Sequence, residues 1–83
     1  MTPTVHNNGT SGKVLLGQAI AAEQAIVAAL DAMCDAAPNG RDYYVQGPDA
    51  FRQASIEHSA RVARLQEVRR DYQAIAKAIA EWV

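Results

Sequence analysis

Between His6 and Lys13 the chain reads His-Asn-Asn-Gly-Thr-Ser-Gly-Lys, directly ahead of a long apolar-periodic stretch. A helix that starts there leaves its first backbone N–H groups unpaired and turns the positive end of its dipole outward. Glycines, small hydroxyls, amides and a lysine are the residue types that let an anion reach such an end. Asn8, Gly9, Thr10, Ser11 and Lys13 are therefore candidate phosphate contacts. Gly9 and Gly12 lack the spacing of a full phosphate-binding loop, and the same residues would serve as a plain lead-in and helix cap.

A second candidate lies at Asn39-Gly40-Arg41-Asp42-Tyr43-Tyr44-Val45-Gln46. Arg41 offers a planar fork for phosphate, and Tyr43 and Tyr44 offer flat faces on which a base could stack. Adjacent tyrosines in an extended segment cannot both point inward, so at least one is available to a partner. The alternative is structural: one tyrosine closes the end of a hairpin while Arg41 and Asp42 form a surface pair.

Catalysis finds no support in the sequence. No nucleophile and base stand at readable spacing, and no paired carboxylates flank a cleft. One cysteine, Cys34, and two distant histidines, His6 and His58, make neither a disulfide nor a structural zinc site. Cys34 reads as a packing thiol and His58 as a core or interface residue. The expectation is a protein with no enzymatic activity, metal or cofactor. A net charge of −1 gives no general attraction for nucleic acid or membrane. No signal-peptide layout is present and no uninterrupted apolar run approaches about 20 residues, so the reading is a protein of the cytoplasm.

The elements that must hold these residues are simple. Residues 1–10 have no period and read as an arm. A first helix is expected over 11–37, a connecting loop over 38–48 and a second helix over 49–82, all in one domain spanning 1–83. Pro38-Asn39-Gly40 marks the stop of the first helix, and Gly47-Pro48-Asp49 the start of the second. The first helix carries two adjacent apolar seams. One runs Leu15, Ala19, Ala22, Ile26, Ala29, Met33 and Ala36; the other runs Leu16, Ile20, Glu23, Val27, Leu30, Cys34 and Ala37. The second helix carries Phe51, Ser55, His58, Val62 and Leu65, continued by Val68, Tyr72, Ile75, Ile79 and Trp82, while its arginines alternate with acids as a solvated face.

Two seams exceed what one partner helix can cover. The fold expected is all-α: an antiparallel two-helix hairpin assembling into a homo-oligomeric bundle. With the turn end fixed, the longer second helix should overhang by about 13 Å at its C-terminus. The arm or another subunit must then cover Ile75, Ile79 and Trp82.

The pairing of a His-Asn-Asn-Gly-Thr-Ser-Gly arm with an Asn-Gly-Arg-Asp-Tyr-Tyr loop resembles small helical proteins encoded by bacteriophages and prophages. In architecture the chain is also similar to phage sponges that sequester the cyclic-nucleotide signals of bacterial immunity. That resemblance implies ligand pockets between subunits and no turnover, in the cytoplasm of a bacterial host. The expected partners are the chain itself and a cyclic nucleotide or other phosphate-bearing small molecule, with no membrane or nucleic acid. The alternative is a protein-interaction module, either a virion assembly component or an inhibitor of a host protein.

Overall fold

A computed structural model describes residues 1–83, with two helices packed against each other and no strand. Helix α1 spans Gly12–Asp35 and helix α2 spans Ala50–Ala80. Two short 3₁₀ turns, Gly40–Asp42 and Tyr44–Gln46, lie between them. The molecule is a rod of 61 × 18 × 17 Å.

Helix α1 starts where its capping chemistry says it should. Ser11 is extended, and its Oγ accepts a hydrogen bond from the Val14 backbone N–H at 3.2 Å. That satisfies one of the orphan donors of the first turn. Alanine and straight-chain residues then carry the helix without an internal proline. The face against α2 draws on both seams: Leu15, Leu16, Ala19, Glu23, Ile26, Val27, Leu30 and Met33 are all buried or half-buried. Helix α2 thus lies over the boundary between the two stripes. Ile20 and Ala29, at the outer margins, stay exposed, and so does Cys34, which does not pack as the sequence suggested.

On α2 the inward line runs Ser55, His58, Val62, Leu65, Arg69, Tyr72, Ile75 and Ile79. Arg69 takes the place expected for Val68, which is exposed. The reason is Glu23, the one charge in the α1 seams. Its Oε1 accepts from Arg69 Nε at 3.0 Å and from Gln73 Nε2 at 3.3 Å. With α2 turned by one position, that carboxylate has a partner and Val68 is left partly in water. No buried side-chain polar atom is left without a partner.

This polar node also fixes register. Glu23 pairs with Arg69 and Gln73, and Gly12 lies against Val83 at the other end of the rod. Carried down α1, the same alignment brings Asp35 level with about Ser59. The first two and a half turns of α2 therefore run roughly 13 Å past the end of α1. The overhang expected at the C-terminus of α2 lies instead at its N-terminus. The hairpin end is not fixed by a tight turn, because residues 36–49 pass through two 3₁₀ turns, of which Tyr44–Gln46 lies against α2.

Gly47 ends that passage. Its φ of 120° and ψ of 169° belong to a region that side chains bearing a Cβ avoid, and it has the only positive φ in the chain. Gly40, by contrast, opens the first 3₁₀ turn, where Asn39 Oδ1 accepts from the Arg41 N–H at 3.1 Å.

By length and composition α1 is long and apolar enough to cross a membrane, although no uninterrupted apolar run shows it. The same profile fits a helix that packs in a soluble assembly. About half of its apolar residues, mainly alanines, stay exposed in the hairpin, while its leucines, Ile26, Val27 and Met33 face α2.

Two outcomes follow from these local arrangements. Gly47→Ala should lose on the order of 1–3 kcal/mol in urea unfolding, although nothing lies within 4 Å of the added methyl group. A double-mutant cycle of Glu23→Ala and Arg69→Ala should give a coupling of about 1 kcal/mol, the size expected for a pair at the rim of the seam. Zero coupling in that cycle would show that the pair neither stabilises the hairpin nor sets its register.

Candidate functional site

The residues singled out for phosphate and base contact fall into two groups at different ends of the rod. Asn8 to Lys13 stand at the start of α1 and Arg41 to Tyr44 beyond its end, separated by roughly 36 Å of helix. Within one chain they form no common site.

At the α1 start, His6 and Gly9 close a turn, with the Gly9 N–H donating to the His6 carbonyl at 3.2 Å. The His6 ring lies against Gly9 and fills the space a side chain there would need. Asn8, Thr10 and Lys13 are exposed. Ser11 spends its hydroxyl oxygen on the cap of its own helix. Gly12 is buried, because Val83 and Val5 close over it. One side of the supposed anion cradle is therefore stopped with apolar side chains from both ends of the chain.

At the turn end, Arg41 is exposed and has no carboxylate partner, since the only ion pair in the molecule joins Arg69 and Glu23. Arg41 and its neighbour Asp42 do not pair. Tyr43 is half-buried while Tyr44 is 75% exposed. The segment is not extended as the argument from adjacent tyrosines assumed, since Tyr44 opens the second 3₁₀ turn, and the two rings differ in exposure for that local reason. Val45, Phe51 and Ile56 are also exposed around the α2 overhang, so this end is more apolar than its sequence motif suggested.

A cavity of about 280 Å³ lies at neither group. It sits between the arm and the last turn of α2, lined by Thr2, Pro3, Thr4, Val5, Ala78 and Trp82. The arm thus does reach the C-terminal end of α2, near Ile79, the large side chain that is fully buried at 1% exposed. Trp82 itself remains 78% exposed, so the arm covers only part of what the sequence asked it to cover. The sequence signal for this cavity was the unpatterned apolar-and-threonine run Thr2 to Val5, which carries no motif.

No group of three or more His, Cys, Asp or Glu side chains is placed to hold a metal ion. Comparisons with protein-family models, curated proteins and solved structures find no match to this chain.

The cap at Ser11 can be separated from any ligand role. Ser11→Ala should cost roughly 1 kcal/mol of stability and Ser11→Asp should recover it, because aspartate both caps and complements the dipole. Thermal unfolding followed by circular dichroism measures both. Equal stability of the three proteins would remove the cap from the account of where α1 begins.

Proposed function

We propose that the protein is an association module: an all-α hairpin that pairs with further copies of itself and offers its turn end to another protein. One observation carries this reading. Only 4 of 83 residues are buried, and the chain exposes 6175 Å². A folded chain of 8.9 kDa typically exposes about 4,800 Å². The surplus, near 1,400 Å², exceeds the roughly 800 Å² per partner of a standard interface. Exposed apolar side chains lie on α1, at Val14, Ile20 and several alanines, and around the α2 overhang, at Tyr44, Val45, Phe51 and Ile56.

Sequestration of a phosphate-bearing, nucleotide-type signal is the second reading. What favours it is the pair of exposed cations, Lys13 and Arg41, each without a carboxylate partner, together with the free ring of Tyr44. It requires a neighbouring copy to bring its turn beside this chain's arm, as the resemblance to phage sponges implies. The cavity that the single chain does form is elsewhere and mostly apolar in its lining. For that reason the association reading ranks first. In the setting of a phage genome, the protein partner would be a virion component or a host protein in the bacterial cytoplasm. Neither reading involves turnover.

Sedimentation velocity across 1–100 μM, paired with calorimetric titration of cyclic and linear nucleotides, separates the two. The association reading expects a ligand-free oligomer and no binding heat. Micromolar binding that falls in both Arg41→Ala and Lys13→Ala would move the assignment to sequestration. A stable monomer throughout the concentration range, with no nucleotide bound, would overturn both.

A further inference from the structure

We infer that the outward face of α1 is a contact surface for α1 of a second copy, running antiparallel, so that two hairpins join as a four-helix bundle. The inference rests on the association reading and adds the face, the direction and the register. Away from α2, the exposed side of α1 shows Val14, Gly17, Ala21, Ala25, Ala28 and Ala32, with no charge over five turns. The outer side of α2 is different, carrying Arg52, Arg70 and Lys77 among its exposed residues. Of the two helices, α1 has the surface that water serves poorly, and small side chains let a second helix approach closely.

Charge decides the occupant. A helix is favoured by acids in its first turn and bases in its last. Helix α1 has neither. It has the reverse, with Lys13 in the first turn, Asp35 in the last and Asp31 just before it, all exposed and none in an ion pair. Alone in the hairpin, each of these charges opposes the dipole of its own helix. An antiparallel copy removes the conflict, because its acidic end arrives beside Lys13 and its lysine beside Asp31 and Asp35.

The geometry agrees. At 3.6 residues per turn, Lys13 and Asp31 share one flank of the uncharged face, and Asp35 lies close to it. A twofold axis across an antiparallel pair keeps each flank on its own side. Centred near Glu23, it sets Lys13 level with the point midway between Asp31 and Asp35 of the other copy.

Cys34 makes a direct test available without a substitution. It is exposed and the only thiol, so it accepts a nitroxide label in the full chain. Antiparallel pairing centred near Glu23 places two labels roughly 33 Å apart along the helix axis, whereas parallel pairing brings them within about 15 Å. Dipolar electron resonance should therefore give a distribution between about 30 and 45 Å. Lys13→Glu should weaken the dimer about tenfold in sedimentation equilibrium, while helix content is kept or raised because the new acid suits the α1 dipole. Adding Asp31→Lys and Asp35→Lys should restore the dimer.

Distances below 25 Å in an oligomer, or a dimer indifferent to Lys13→Glu, would overturn this arrangement and leave the association reading standing. A monomer would overturn both. A monomer that floats with vesicles of phosphatidylethanolamine and phosphatidylglycerol would give the α1 face to a membrane instead.

Discussion

Two helices in contact can hide only one stripe of each other, and most of this structure follows from that limit. A stripe against a single neighbour covers roughly a third of a helix surface. Helix α1 has apolar or small residues over far more than that, so burial must be partial whichever way α2 sits. The boundary position shares the cover between both seams and leaves their outer margins in water. Ile79, closed in near the arm, is the one large side chain that reaches full burial. Everything else in the interior is shared with solvent to some degree.

Within so thin an interior, a single polar node has more influence than it would in a larger domain. The Glu23 carboxylate calls Arg69 and Gln73 to the seam and thereby sets the rotation and the sliding position of α2. A purely apolar seam of alanine, leucine and isoleucine would accept several alignments at similar energy. The node selects the alignment in which Gly12 meets Val83, and that choice pushes the excess length of α2 to the opposite end. The exposed cluster of Tyr44, Val45 and Phe51 lies at that end of the rod.

The helices, their approximate limits and their antiparallel packing were legible because periodicity, capping residues and the Pro38 and Pro48 signals all agree on them. The position of the overhang was not. That depended on taking the turn end as fixed, and nothing local in Arg41 to Gln46 announces two successive 3₁₀ turns, the second lying against α2. The exchange of Val68 for Arg69 was hidden for a related reason. An apolar pattern ranks valine above arginine, and only a partner distant in sequence reverses the order. Of the candidate site, the cap at Ser11 could be argued from neighbouring residues, whereas which tyrosine is exposed could not. The closing of Val5 and Val83 over Gly12 could not, because it joins the two ends of the chain.

That closure has a kinetic side. Contacts near the hairpin end form across short loops, while the meeting of Gly12, Val5 and Val83 requires nearly the whole chain to be arranged first. The hairpin should accordingly zip from its turn toward its termini, with the arm settling last. On the way back, the same end is the natural place for the first local opening, since few contacts must break there before residues 1–11 come free. The rod then has a gradient of cooperativity along its length. An arm that lets go while the helices stay paired would uncover Gly12 at the first turn of α1 and the Ala78 and Trp82 side of α2 together, joining the exposure of an apolar surface to the exposure of a helix start.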